Sequence, residues 1–396
     1  MKYKILTIHN RYLIRGGEDE SVDSQIRLLN EKGHKNDLLE YSNREIDKIG
    51  RVKTALRTIW SFKAYHEVKK ILASGEYDIL DCQNTFPLFS PSVYYAASKL
   101  KIPVIQTLRN YRPLCPSALF YRDGKVCEDC LGKSVQFPAI RHKCYRESIL
   151  GSATLASMNY FHKKVKSWEN KVDLFVTLTE FARNKYIQAG FPEDRIVVKP
   201  NFVYPDPGVG QGLGDYALFV GRLTKEKGIK TLIKAWKKIG STLPLKIIGE
   251  GPLVNLVKED SKTYQGIEYL GKRDVNEVYD FMGEAKVLIF PSEWYETFGR
   301  VAVEAFAKGT PVIASNIGAI SEIVRDGVTG LYFKPGDSED LVEKVKIFLS
   351  DPHRINKMRE FARKEYEEKY TADRNYEMLM EIYEKAISLA NVRHKN

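Results

Sequence analysis

The chain has 396 residues, 43% of them hydrophobic and 29% charged, with a formal net charge of +11. That length exceeds one ordinary core, so two domains are expected. No apolar run approaches the roughly 20 residues of a membrane span. The first ten residues alternate like a strand and lack a signal peptide's apolar core, which reads as a cytoplasmic protein.

In chain order, the first strand is expected over Lys4–Ile8. Arg15-Gly16-Gly17-Glu18 separates it from a helix over Ser21–Lys32. Two glycines at such a turn suit N–H groups meeting a phosphate; a tight turn without function is the equal alternative. His9 ends the strand, and a lone histidine there is more often structural than catalytic. A long helix is expected over Val52–Ala73, then a strand over Ile79–Cys82, a helix over Val93–Leu100 and a strand over Val104–Thr107.

Residues 51–70 carry six Lys or Arg against the single Glu67, and residues 101–170 carry twelve against five Asp or Glu. These two windows hold the whole net excess. Trp60, Phe62, Tyr65, Tyr160, Phe161 and Trp168 are interleaved with the bases, a composition suited to an anionic membrane surface. For any one lysine, a solvated basic face is the alternative. Nucleic acid is set aside, because no binding motif accompanies the charge.

Cys115-x11-Cys127-x2-Cys130-x13-Cys144 gathers four of the five cysteines in thirty positions. The spacing matches a tetrahedral four-thiolate structural zinc, since reducing cytosol disfavours disulfides. Unliganded thiols and a redox pair are the alternatives. His142 and His162, nearby, are given no role, and Cys82 reads as an ordinary buried thiol.

A strand at Leu174–Thr177 closes the first series. Asn201 to Asp215, with Pro205, Pro207 and four glycines, reads as a linker. The second series is expected as strand Tyr216–Val220, helix Ile229–Ile239, strands Leu245–Gly249 and Val287–Phe290, helix Arg300–Lys308 and strand Pro311–Ser315. Charged helices over Ser338–Leu349 and about Ala372–Ala390 end the chain. The alternation argues for an α/β protein: two doubly wound, Rossmann-like domains facing one another across a cleft.

Three motifs follow strands of the second series. Gly221-Arg222, with Lys227-Gly228 opening the next helix, delivers a guanidinium, an ammonium and a helix N-terminus to one crevice. Gly249-Glu250-Gly251 suits close backbone approach to a nucleobase, though alone it is a weak turn signal. Pro291 to Glu304 sets Glu296 and Glu304 on either side of a helix start, with Thr297 as the expected N-cap and Gly299 leaving the backbone open. Eight residues of helix span at most about 12 Å. Two carboxylates at that spacing suit a hexose at one end of a diphosphate and a ribose at the other.

Together these residues resemble glycosyltransferase family 4, retaining enzymes of the GT-B fold. Phe219 through Gly228, Gly249-Glu250-Gly251-Pro252, Glu296-x7-Glu304, Gly309 through Ala314 and Gly327 through Leu331 carry the resemblance. The first half matches through Gly16-Gly17 and through Asn201 after Lys199-Pro200. The four cysteines mark a cysteine-containing branch. The resemblance implies that Arg222 and Lys227 stabilise a leaving nucleoside diphosphate. Glu296 and the amides of Thr297, Phe298 and Gly299 would hold the donor sugar, and Glu304 the ribose. Asn201, Gly249 and Gly251 would join the donor site, and Gly16 and Gly17 would close on the diphosphate from the other domain. Many relatives have a histidine where this chain has Arg109, which can donate to an anion but cannot act as a base.

The resemblance further implies domains at 1–205 (acceptor) and 206–374 (nucleotide sugar), with the helix at about 375–396 packing back on the first. It implies a UDP- or GDP-sugar donor without a catalytic metal. The acceptor would be a glycan or a polyprenyl-diphosphate-linked glycan at the inner membrane face, in surface polysaccharide or lipopolysaccharide synthesis. A nucleotide-sugar epimerase, a sugar phosphorylase and a zinc-stabilised polyanion-binding protein are the alternative readings.

Overall fold

The computed structural model describes residues 2–394. It divides into two compact units. One comprises residues up to Phe120, Glu128–Pro200 and the chain from Asn375 onward. The other comprises Tyr121–Cys127 and Asn201–Arg374. Among the described residues, no helix is long and apolar enough to cross a membrane.

The first unit is built on a six-stranded parallel sheet. Its strands are β1 (Lys4–Arg11), β2 (Lys35–Ser42), β3 (Ile79–Asn84) and β4 (Val104–Thr107), followed after a short hairpin, β5 (Tyr121–Arg122) and β6 (Lys125–Val126), by β7 (Leu174–Thr177) and β8 (Ile196–Val198). The order is β2-β1-β3-β4-β7-β8, so strand progression reverses between β1 and β3. The long helix expected over Val52–Ala73 forms as two, Arg51–Ile59 and Phe62–Ser74, broken at Trp60-Ser61 where the Ser61 hydroxyl caps the second.

One face of this sheet is covered by the chain's last helix, Ala372–Arg393. Its Leu379, Ile382, Tyr383 and Ala386 share a core with Tyr3, Ile5, Ile79 and Leu174. Polar pins accompany the apolar contact: Tyr383 donates to Asp81 Oδ2 at 3.2 Å, and Lys199 Nζ donates to Asn375 Oδ1 at 2.9 Å.

The second unit has β9 (Ala217–Val220), β10 (Leu245–Ile248), β11 (Ile267–Gly271), β12 (Val287–Phe290), β13 (Val312–Ser315) and β14 (Gly330–Phe333). All are parallel, in the order β11-β10-β9-β12-β13-β14. This is the Rossmann order, with its switch point between β9 and β12. Trp236, Phe333, Phe348 and Leu232 fill its core. Asn201 to Asp215, expected as a linker, has neither helix nor strand and belongs to this unit.

Candidate active site

The strongest sequence motifs stand at the switch point of the second sheet, where doubly wound folds bind ligands beyond their strand ends. Gly221-Arg222 follows β9, and Pro291 through Glu296 follows β12. The two loops are locked together by the Glu293 amide donating to the Glu226 carbonyl at 2.8 Å. Gly228, at φ +70°, lies so close that an added Cβ would sit 1.8 Å from the Pro291 carbonyl oxygen. The Gly249 loop is joined to the same place: the Leu223 amide donates to the Glu250 carbonyl at 2.8 Å. A Cβ on Gly249, at φ +145°, would fall 1.9 Å from the Gly221 carbonyl oxygen. That glycine therefore has a packing reason, whatever else it does.

Glu296 is the centre of this constellation. It is buried, and its Oε1 accepts hydrogen bonds from Lys227 Nζ at 2.6 Å, Ser292 Oγ at 2.8 Å and Trp294 Nε1 at 2.9 Å. Three donors on one oxygen hold the carboxylate in one orientation. Lys227 Nζ also lies 5.7 Å from the ring centroids of Phe290 and Trp294, which enclose the ion pair in apolar surface. The motif identified Lys227 and Glu296; it did not identify Ser292 and Trp294 as their partners. Hydrogen-bonding residue types beside a motif carboxylate were the available signal.

A second carboxylate in the loop, Glu293, accepts from Thr231 Oγ1 at 2.6 Å and from the Tyr121 hydroxyl at 3.3 Å. That bond ties the Tyr121–Cys127 hairpin to this unit, which the sequence did not foretell. Arg222 stands apart from the ion pair: its side chain is exposed and lies 3.8 Å from Glu226. Glu304 lies one turn into the helix Arg300–Ala307, where its Oε1 accepts from Arg300 Nε at 2.7 Å. The expected N-cap at Thr297 is corrected. Gly299 occupies that position at φ +115°, ψ +46°, a left-handed conformation that threonine adopts poorly. Phe298 is buried, edge-on to Tyr370 at 6.0 Å. Asn201 is buried in the same unit.

In the first unit, Gly16 is the N-cap of the helix Gly17–Glu31, with extended backbone at φ −142°. Nothing lies within 4 Å of an added Cβ there, so neither conformation nor packing demands glycine. Its N–H donates to Asp19 Oδ2 at 3.1 Å, and Asp19 Oδ1 holds His9 Nε2 at 2.8 Å. His9 is thus a buried, oriented group, as a structural histidine is. Arg109 follows β4, buried, and donates from Nε to Gln83 Oε1 at 2.8 Å.

Sequence reasoning missed two buried charges behind it. Asp81 accepts from Gln25, Gln83 and Tyr383, and burial raises its pKa against the pull of Arg109 and Lys199. Burial, reinforced by Arg109, pulls Lys199 down to about 7. Glu18, beside the glycines, is also pushed up by burial, opposed by His9 and Arg109.

The four-cysteine zinc expectation is unconfirmed. Cys115 and Cys130 are buried and Cys127 and Cys144 half-buried, with no disulfide among them. Among the described residues, no group of three or more His, Cys, Asp or Glu is placed to hold a metal ion. Polar contacts in the loop include Cys115 Sγ with Ser117 Oγ at 3.2 Å and Gln136 Nε2 to the Leu114 carbonyl at 2.9 Å. A cavity of about 30 Å³ borders Cys130, Gln136, Asn159 and Trp168 in the first unit. It has room for a water or two and not for a sugar.

A parallel sheet in Rossmann order, with phosphate-seeking and carboxylate motifs at its switch point and a second doubly wound sheet before it, defines a two-domain α/β protein of the GT-B class. The comparisons agree. Residues 213–365 match the family described as glycosyl transferases group 1, and residues 15–206 match glycosyltransferase family 4. The chain belongs to this group 1/family 4 set of glycosyltransferases.

Among relatives, an uncharacterized glycosyltransferase of Methanocaldococcus jannaschii is 27% identical over 349 residues, covering 87% of this chain and 86% of that one. The capsular polysaccharide biosynthesis glycosyltransferase CapM of Staphylococcus aureus is 29% identical over 170 residues, 42% of this chain and 44% of its own. Among solved structures, the Anabaena protein HepE in complex with UDP-glucose superposes with a TM-score of 0.68 at 16% identity. It covers 96% of this chain and 98% of that one.

Proposed function

We propose that this transferase is a retaining hexosyltransferase that takes its sugar from a nucleotide-sugar donor, UDP-sugar before GDP-sugar. The observation that carries the reading is the Glu296 carboxylate held by Lys227, Ser292 and Trp294 at the switch point of a Rossmann-ordered sheet. A carboxylate fixed in this way accepts hydrogen bonds from sugar hydroxyls in one orientation. The neighbouring ammonium and the amides of Thr297, Phe298 and Gly299 at a helix N-terminus suit a diphosphate.

Charge builds on the departing diphosphate as the anomeric carbon becomes cation-like. Cations and N–H dipoles already in place stabilise that charge without reorganisation. Lys227 and Arg222 supply the cations, and Glu304 the contact to the ribose. Asn201, Gly249 and Gly251 border the nucleotide. In the first unit, Gly16, Gly17 and Arg109 are read as anion-facing groups. Retention is assigned to same-face attack, with the leaving phosphate taking the acceptor proton. The HepE complex supports a UDP-sugar donor, and the CapM likeness supports surface-polysaccharide synthesis. A glycan or polyprenyl-diphosphate-linked glycan at the cytoplasmic membrane face is the proposed acceptor.

Donor binding is tested by thermal shift with UDP, GDP and ADP and their sugars. A nucleotide at 100 times its Kd stabilises by about 2.7 kcal/mol, so only the true base class is expected to raise Tm by several degrees. Arg222→Ala and Lys227→Ala are expected to abolish transfer while leaving the fold intact. Near-normal turnover in both variants refutes the assignment, as does nucleotide release independent of any acceptor.

A further inference from the structure

The first unit carries a solvent-facing surface used by neither its core nor its motifs. It is built from the helices Arg51–Ile59 and Ile149–Lys164, which pack together, and from the first turn of Phe62–Ser74. His162 Nε2–H donates to the Ile59 carbonyl at 2.8 Å, and the Trp60 ring meets Phe161 edge-on at 6.3 Å. These contacts pack the three elements together.

In Arg51–Ile59 only Thr58 is buried. Val52 and Leu56, one turn apart, are 75% and 64% exposed, Phe62 is 69% exposed and Leu150 is 81% exposed. An amphipathic helix of a globular protein ordinarily turns its apolar stripe inward; here apolar side chains stand in water. Arg51, Lys53, Lys63 and Lys164 are exposed on the same elements. No Asp or Glu occurs in residues 48–66 or 148–168.

We propose that this face docks on an anionic phospholipid bilayer. The lysines meet lipid phosphates while Leu56, Phe62 and Leu150 enter the boundary between headgroups and acyl chains, the arrangement of an interfacial helix. A nucleic acid or acidic glycan matches the charge but leaves those apolar side chains in water; a bilayer satisfies both. The purpose of docking rests on the membrane-linked acceptor proposed above, whereas the docking itself does not require it.

The test is flotation of the full-length protein with vesicles of phosphatidylcholine alone and with about one-third phosphatidylglycerol. Partitioning into the anionic vesicles is expected to be at least about tenfold stronger. Combined Lys53→Glu, Lys63→Glu and Lys164→Glu lowers it roughly a hundredfold, because each basic group near the surface contributes about fivefold. Combined Leu56→Ser, Phe62→Ser and Leu150→Ser removes the part of binding that survives high salt, with Tm unchanged. Equal partitioning into both vesicles, or either variant behaving as wild type, overturns the proposal. So does retention on heparin or RNA without vesicle binding, which assigns the face to a polyanion. Thermal stabilisation by UDP or GDP is read in the same variants and is expected to persist. Its absence in every form, with docking intact, sinks the donor reading alone.

Discussion

Glu296 accepts three donors on a single oxygen, so its removal orphans an ammonium, a hydroxyl and an indole N–H together. Glu296→Ala is therefore expected to cost about 2–4 kcal/mol of stability, measured by urea unfolding, besides its effect on transfer. A change below about 0.5 kcal/mol would mean that the ion pair relaxes into water. Lys227 and Glu296 were each legible as part of a motif. The pairing of Glu296 with Ser292 and Trp294 was not, because hydrogen-bond geometry within a loop depends on backbone turns that residue types do not specify.

His162 gives a pH signature at the same scale. Burial lowers its pKa to about 4 from an ordinary 6.5, opposed by its bond to the Ile59 carbonyl. The unfolded chain thus binds a proton that the folded chain refuses between pH 6.5 and 4, and stability falls as pH drops through that window. A shift of 2.5 units corresponds to about 3 kcal/mol. Denaturant melts at pH 7 and pH 4 are expected to show His162→Gln losing about that much less on acidification. An identical loss in both proteins would place the acid sensitivity elsewhere.

Two glycines separate conformational need from functional need among the loops. Gly228 combines a positive φ with a Pro291 carbonyl in the space of a side chain, so Gly228→Ala is expected to destabilise by about 3 kcal/mol or more. Gly16 has extended backbone and open space. Gly16→Ser, a good N-cap, is expected to keep stability within about 0.5 kcal/mol while lowering kcat/KM at least about tenfold if ligand approaches that backbone. Unchanged kinetics in Gly16→Ser would remove the anion-facing role.

The strands follow a similar division. Val104–Thr107, Leu174–Thr177 and Val287–Phe290 are interior strands, wholly buried, and their apolar runs gave exact boundaries. Within the two six-stranded sheets, the strands that the sequence reading did not place are β2, β8, β11 and β14, the four edges. The edge strand Lys35–Ser42 is mostly outside the core and carries no long apolar run, so it hides itself among polar residues. The helix Pro352–Lys369 was missed for a related reason: it buries only Met358, Ala362, Glu365 and Tyr366.

At the scale of the molecule, the chain crosses between units more often than its linear pattern suggests. The last helix completes the first unit's core, so deletion from Asn375 onward removes Leu379, Ile382 and Tyr383 and takes one hydrogen-bond partner each from Asp81 and Lys199. Calorimetry of that truncation is expected to lose the unfolding transition of the first unit while keeping that of the second. In the full chain, Tyr383→Ala is expected to cost about 4 kcal/mol. A truncated protein retaining both transitions would show the helix to be dispensable.

Alternating apolar runs and glycine-bounded motifs by themselves determined two parallel α/β sheets and the loops that stand at the second sheet's switch point, because strand burial and turn conformation are written in local residue types. Only the tertiary structure decided which groups touch. It paired Lys227 with Glu296 across 69 positions of sequence, put Gly299 rather than Thr297 at the helix start, and drew Asp81 and Lys199 out of water. Those outcomes depend on chain segments meeting at a distance, where packing and desolvation, not local preference, set the energy.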